Sequence, residues 1–248
     1  MITLFLDLDN TTIYSKRRIS DFSNMIKVED YNGSPLSYMT KSSYEKLNML
    51  LKREDIQIVP ITTRVDYQFD RLELPDFKYV LLGNGSILTN KGVVDEAWLK
   101  NSERYRDFCL SELTKAFMLL KQTYPDTEVL RFPDKMFVFG KFENTVEVAS
   151  LLHNSLNSAK VNIFTQGKKV YVLPKEFDKG QSIKRFGGSF EIGKIISAGD
   201  EVLDFSMADF SDVFITSNEN CNKPNKILSQ SKIFADEIFD YVIKELAS

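Results

Sequence analysis

Two carboxylates, Asp7 and Asp9, stand two residues apart directly after the apolar run Leu4-Phe5-Leu6. Branched and aromatic residues bounded by polar ones read as a buried strand, and parallel sheets bind ligands beyond the carboxyl ends of such strands. If that strand continued, its period of two would put both acids on one side, where adjacent negative charges neither ionise together easily nor pack unaided. A divalent cation relieves the repulsion, and so does a division into one ionised and one protonated carboxyl. A pair of solvated acids leading into an Asn10-Thr11 turn is the alternative. Other polar groups recur at strand ends or helix starts: Thr62, Lys179, and Asp200 with Asp204. These residue types together can move a phosphoryl group. A carboxylate attacks phosphorus, a second carboxyl protonates the leaving oxygen and later activates water, and a hydroxyl and an ammonium hold the phosphoryl oxygens. A hard cation on carboxylate oxygens cancels the charge that would repel an anionic substrate.

The elements that must position these groups follow a βαβ rhythm. Strand-like runs cover residues 56–61, ending in Thr62-Thr63-Arg64, and 79–82, ending in Gly83-Asn84-Gly85. Between the first two strands, Ser42 and Glu45 form a capping box for a helix over 44–52. A strand, a helix and a strand at this spacing make a right-handed crossover and hence a parallel sheet. Residues 16–39 are less regular, and Asn32-Gly33 marks a flap or hairpin there. The middle of the chain changes character. Apolar positions at helical spacing over 102–122, strands over 128–132 and 136–142, a helix over 146–156, and strands over 160–165 and 169–173 make an αββαββ order. That order predicts an antiparallel sheet backed by two helices. From residue 174 the α/β rhythm resumes, with a helix from 178 to about 186, strands over 194–198 and 213–215, and a closing helix over 232–246. The expected fold class is therefore α/β: a Rossmann-like parallel-sheet core, residues 1–96 and 174–248, with an inserted α+β domain over 97–173.

Composition narrows the function classes. In 248 residues, 43% hydrophobic and 27% charged is the balance of an ordinary folded domain. A formal net charge of -3 gives no footprint for nucleic acid. Cys109 and Cys221 are the two cysteines, which argues against a disulfide framework and for a reducing cytoplasm. No apolar run reaches the length of a membrane span, and Asp7 interrupts the first one before it could serve as a signal peptide. The Asn-x-Ser/Thr matches at Asn10, Asn32 and Asn84 then carry no glycosylation meaning. The single histidine, His153, falls in a predicted helix and reads as a surface or packing residue. Arg64, Gln68 and Arg71 are spaced to share a helical face; Arg71 reads as solvated, and Arg64 stays open between solvent and substrate. Gly188 to Lys194 approximates a phosphate-binding loop but fails it, because Ile195 stands where a hydroxyl residue should and a strand follows.

Taken in order, these motifs resemble the haloacid dehalogenase superfamily of phosphohydrolases, most closely its Cof-type and sucrose-phosphatase-like branch. Asp7-Leu8-Asp9-Asn10-Thr11 is similar to the family's first motif, Thr62-Thr63-Arg64 to the second, Lys179-Gly180 to the third, and Gly199-Asp200 with Asp204 to the fourth. Asn84-Gly85 falls at the branch's Asn-Gly signature, and the αββαββ insertion resembles the smallest form of its cap. The resemblance spans nearly the whole chain. It implies Asp7 as nucleophile, Asp9 as general acid/base, and Thr62, Thr63 and Lys179 around the phosphoryl group. It further implies Mg2+ on Asp7, Asp200 and the Asp9 main-chain carbonyl, supported by Asp204, with Arg64 and Asn84 as possible substrate contacts. The implied activity is hydrolysis of a small phosphorylated metabolite, a sugar phosphate, with no nucleic-acid or membrane partner. Transfer to another acceptor, or a phosphoaspartate signalling module, are the alternatives. Thr63 in place of glycine, Thr12 in place of an aliphatic residue and the long 16–39 segment depart from the family pattern.

Overall fold

The computed structural model describes residues 1–247. In chain order they form β1 (Ile2–Leu6), β2 (Tyr14–Ser15), β3 (Met25–Tyr31), β4 (Ser34–Thr40), α1 (Lys41–Leu50), β5 (Ile56–Pro60) and α2 (Asp66–Phe69). There follow β6 (Tyr79–Leu82), β7 (Ile87–Asn90), β8 (Val93–Val94), α3 (Glu96–Thr123), β9 (Leu130–Arg131), β10 (Val138–Lys141) and α4 (Thr145–Ser155). The chain ends with β11 (Val161–Gln166), β12 (Lys169–Pro174), α5 (Lys179–Gly187), β13 (Lys194–Ala198), β14 (Val213–Thr216), β15 (Lys226–Leu228) and α6 (Ala235–Leu246). The chain divides into two compact units, one of Met1–Asp95 with the chain from Lys179 onward, the other Glu96–Asp178.

The first unit is built on a parallel sheet of order β15-β14-β13-β1-β5. All five residues of β1 are buried, as its near-continuous apolar sequence demands of a central strand. Leu6 is the last rung of β1, paired with Pro60 of β5 and Ala198 of β13. This register decides the site, because the chain leaves all three strands at one edge, and Asp7, Thr62 and Asp200 follow within two residues. Leu47 and Leu50 of α1 and Ile238, Phe239 and Val242 of α6 join the core that contains Leu4, Leu6, Ile58 and Ile196. Phe5 meets Phe186 of α5 edge-on at 5.5 Å. Each such buried side chain contributes about 1.5–3 kcal/mol. The first helix begins at Lys41, earlier than expected, because Thr40 caps it: its hydroxyl accepts from Ser43 N at 3.0 Å. The 16–39 segment belongs to a three-stranded antiparallel flap over residues 14–40, of order β2-β4-β3. Strand β6 pairs antiparallel with β7 and joins the end of the parallel sheet through a bridge between Ile61 and Leu81 and a bond from Thr62 N to Leu81 O at 3.0 Å.

The second unit carries an antiparallel sheet of order β11-β12-β10-β9 with α3 and α4. Cys109, Leu113, Ala116 and Leu120 of α3 pack with Val148 and Leu152 of α4 and with Val138, Val161, Val170 and Val172 of the sheet. The αββαββ order and the parallel core together make the α/β class with an inserted α+β element. Helix α3 starts at Glu96, ahead of the predicted 102, and β9 is a two-residue strand. Phe132 stacks on Phe117 and Phe142 lies edge-on to Tyr124, so this aromatic stretch is packing. His153 is exposed on α4. No helix among the described residues is long and apolar enough to cross a membrane.

Candidate active site

After Leu6 the chain leaves the sheet in a tight turn. The amides of Thr11, Thr12 and Ile13 all converge on the Leu8 carbonyl, and Asn10 takes φ +65°, a left-handed conformation that asparagine tolerates. The Asp7 amide donates to Ala198 O at 3.0 Å and its carbonyl accepts from the Thr12 hydroxyl at 2.7 Å, so the main chain at Asp7 is held from both sides. Thr12, in place of an aliphatic residue, thus has a structural function.

Lys179 opens α5 and is buried, with its ammonium 2.6 Å from Asp7 Oδ1 and 2.5 Å from Asp204 Oδ1. Gly180 lets it do so. A Cβ there would lie 2.2 Å from the Ser206 carbonyl oxygen, so only glycine allows α5 to pack this closely on the helical stretch Val202–Phe210. Asp204 sits in that stretch, and its Oδ2 accepts from the Glu201 amide at 2.9 Å. Asp200 receives Arg18 Nη2 on Oδ2 at 2.8 Å and the Thr11 hydroxyl on Oδ1 at 3.4 Å, while Asn218 Nδ2 holds its carbonyl at 2.9 Å. A cleft of about 530 Å3 opens beside Asp200, lined also by Arg17, Arg18, Asn218 and Lys232.

Asp7, Asp200 and Asp204 are all buried and offer carboxylate oxygens within 4.8 Å of one another. One buried ammonium cannot neutralise three such groups. Burial, with Asp204 and Asp9 adding to it against Lys179, pushes the Asp7 carboxyl up to about 7. Burial, with Asp7 and Asp204 adding to it against Arg18, pushes Asp200 up to about 8. Burial lowers the Lys179 ammonium, but Asp204 and Asp7 outweigh it and hold the group above its ordinary value. An all-oxygen, anion-rich donor set of this kind fits a hard divalent cation.

That charge imbalance has a measurable consequence. Asp7 and Asp200 titrate near 4 when unfolded, and in the folded protein near 7 and 8. Between pH 5 and 8 the native state therefore holds protons that the unfolded chain has lost, and stability falls as pH rises. In a chelator, the melting temperature is expected to drop by several degrees from about pH 5.5 to 8. Magnesium at roughly 100 times its dissociation constant should then raise it at pH 8 by roughly 5–10 °C. A melting temperature in chelator that is flat or rising over this range, by scanning fluorimetry, would refute the clustered acids. The Asp200→Asn variant should lose most of the magnesium response.

Around Thr62 the main chain is equally fixed. Its hydroxyl accepts from the Arg64 amide at 3.1 Å and its carbonyl from the Asn84 amide at 2.7 Å, while Gly83 N donates to Arg64 O at 2.8 Å. Asn84 takes φ +62°, buried in the turn after β6. Thr63 is half-buried. The Asp9 carboxylate does not join the acid cluster. Arg64 grips it in two parallel bonds, Nε to Oδ2 and Nη2 to Oδ1, each 2.8 Å. Helix α2 spans only Asp66–Phe69, so Arg64 and Arg71 lie outside it. The expected solvated face for Arg71 is incorrect: Arg71 donates from Nε and Nη2 to the buried Glu29 of the flap, at 3.2 and 3.0 Å. Burial alone would raise the Glu29 carboxyl, yet hydrogen bonds from Arg64, Ser37 and Arg71 hold it below its ordinary value. Nothing local in the sequence marks Arg18 or Glu29, because their partners lie 182 and 35 positions away.

No family model matches the sequence, and no curated protein matches it either. Solved structures do. The sucrose-phosphatase of Synechocystis sp. PCC6803, in complex with sucrose and phosphate, is similar over 98% of this chain and 97% of that one, with TM-score 0.66 and 15% identity. A haloacid dehalogenase-like hydrolase from B. subtilis matches over 98% and 100%, with TM-score 0.65 and 12% identity. The chain has the haloacid dehalogenase fold. The trehalose-6-phosphate phosphatase of Aspergillus fumigatus, covering 98% and 93% at TM-score 0.58 and 11% identity, shares it. In this chain the haloacid dehalogenase fold places Asp7 at the carboxyl end of the interior strand β1, beside Lys179, Asp200 and Asp204.

Proposed function

We propose that the chain is a magnesium-dependent phosphomonoester hydrolase that works through a phosphoaspartate on Asp7. The observation that carries this reading is the buried Lys179 bridging Asp7 and Asp204 beside Asp200, at the carboxyl end of β1. Lys179 orients the Asp7 carboxylate and offers an ammonium to a phosphoryl oxygen, and the main chain at Asp7 cannot drift because Ala198 and Thr12 hold it. Asp7 forms a bond to phosphorus as the ester oxygen departs with a proton from Asp9. Water then attacks the phosphoaspartate, gives its proton to Asp9, and phosphate leaves. Thr62, Thr63 and Lys179 surround the transferring group. Asp7, Asp200, Asp204 and the Asp9 carbonyl would hold Mg2+, which supplies positive charge to the phosphoryl oxygens.

The substrate we assign is a small phosphorylated metabolite, a sugar phosphate, on the strength of structural neighbours named as sucrose and trehalose-6-phosphate phosphatases. The unit Glu96–Asp178 is read as the cap; Asn84 is the core's candidate for contact, whereas the Arg64 guanidinium is taken up by Asp9, Glu29 and Gln68. Two buried free thiols support a reducing, cytoplasmic setting. Incubation with a panel of sugar phosphates and Mg2+ should release phosphate over many turnovers. Labelling of the chain that stops at one phosphate per molecule would replace hydrolysis with a phosphoacceptor function, and release dependent on an added alcohol would indicate transfer to another acceptor.

A further inference from the structure

The flap over residues 14–40 brings one carboxylate into the interior, Glu29. Both Val28 and Glu29 are buried although successive strand residues normally face opposite ways, and the β3–β4 register slips on either side of Glu29. Such a bulge re-aims a side chain. The aim is held from outside the flap as well, since Glu73 N donates to Val28 O at 2.8 Å and Glu29 bridges Leu72.

Inside, Glu29 is fully engaged. Oε1 accepts from Arg64 Nη1 at 2.8 Å and from Arg71, and Oε2 accepts from Arg64 Nη2 at 2.9 Å and the Ser37 hydroxyl at 2.6 Å. Arg64 spends its other edge on Asp9, and its remaining Nη1 hydrogen reaches Gln68 O at 3.2 Å. Every N–H of the guanidinium is then committed, and a planar fork held on two sides has one orientation. Arg71 also lies over the Tyr31 ring, 4.8 Å from its centroid. Two carboxylates and two guanidiniums balance in charge. Packing alone does not call for this quartet, because apolar residues of similar volume commonly replace a buried ionic network at no cost in stability. What distinguishes it is where it ends. The Asp9 side chain is 41% exposed, so the network reaches from a buried glutamate to a carboxylate at the protein surface.

We infer that Glu29 is a positioning residue for proton transfer at Asp9, acting through Arg64. It keeps the guanidinium in the single orientation that presents Asp9 to the leaving oxygen. The inference rests on the phosphatase reading, in which Asp9 is the general acid, and adds a residue from the flap to it.

The test compares two esters with Glu29→Gln. Departure of p-nitrophenolate needs no proton, whereas departure of a sugar alkoxide does, so a misplaced general acid hurts only the second. We expect kcat/KM for glucose 6-phosphate to fall roughly 10–100-fold more than for p-nitrophenyl phosphate, with Glu29→Asp recovering part of the loss. Arg64→Lys, which leaves Glu29 in place but offers a point charge for the fork, should show the same selectivity. Side-chain 15N NMR reads the geometry without turnover: the Arg64 Nε–H signal should be protected from exchange in the native protein and exposed in Glu29→Gln. Equal losses on both esters, or an Arg64 signal unchanged in the variant, overturns the positioning role while leaving the phosphatase reading intact. A native protein that turns over neither these esters nor the sugar-phosphate panel sinks that reading, and with it the proton-transfer role.

Discussion

Asp7→Asn is expected to lose phosphate release by about 10^4-fold or more while remaining folded. In the proposed mechanism Asp7 is the covalent nucleophile, removal of such a group has effects of that order, and an amide cannot form the acyl phosphate. The change is nearly isosteric. The Asp7 amide and carbonyl bonds to Ala198 and Thr12 involve the main chain and survive it. One negative charge also leaves a cluster in which Asp7 raises the Asp200 carboxyl, so the metal-free variant should melt no lower than the native protein at pH 8. This pairing separates loss of chemistry from loss of fold. Turnover at the native rate, measured on p-nitrophenyl phosphate with magnesium, would remove Asp7 from the mechanism.

Lys179→Met should have the largest effect on stability. The ammonium is 2% exposed and meets two carboxylates that are almost as buried. Its removal leaves those charges without a partner, which costs about 3–5 kcal/mol, or roughly 6–20 °C in melting temperature for a chain of this size. The loss should depend on pH in a defined direction. At pH 8 in chelator both acids remain charged in the unfolded chain and repel in the folded one. Near pH 5.5 the Asp7 carboxyl, already pushed up to about 7 with Lys179 present, can bind a proton, and the deficit shrinks. Magnesium should restore part of it at pH 8. A variant that melts within about 2 °C of the native protein in chelator at pH 8 would show that the bridge contributes nothing.

Local regularities carried much of the architecture. Leu4-Phe5-Leu6 reads as a central strand because only a strand covered on both faces tolerates continuous apolar sequence. The αββαββ insertion was legible because its periodicity changes from the surrounding pattern, and α3 and α4 bury the apolar positions that the period marked. Boundaries were less legible. Helix α1 starts at Lys41 because Thr40 wins the cap over the Ser42 and Glu45 box two residues later.

By itself the sequence determined that Asp7, Thr62, Lys179 and Asp200 stand at strand ends or helix starts, since those positions follow from hydrophobic runs and their breaks. The tertiary structure decided which charges meet. Sheet register aligned the ends of β1, β5 and β13, and the close approach allowed by Gly180 set Lys179 between Asp7 and Asp204. It also decided what holds Asp9. A carboxylate chooses its cation by distance and desolvation, which no spacing along the chain encodes, and here a bulge in the flap delivers Glu29 to Arg64 and, through it, to Asp9.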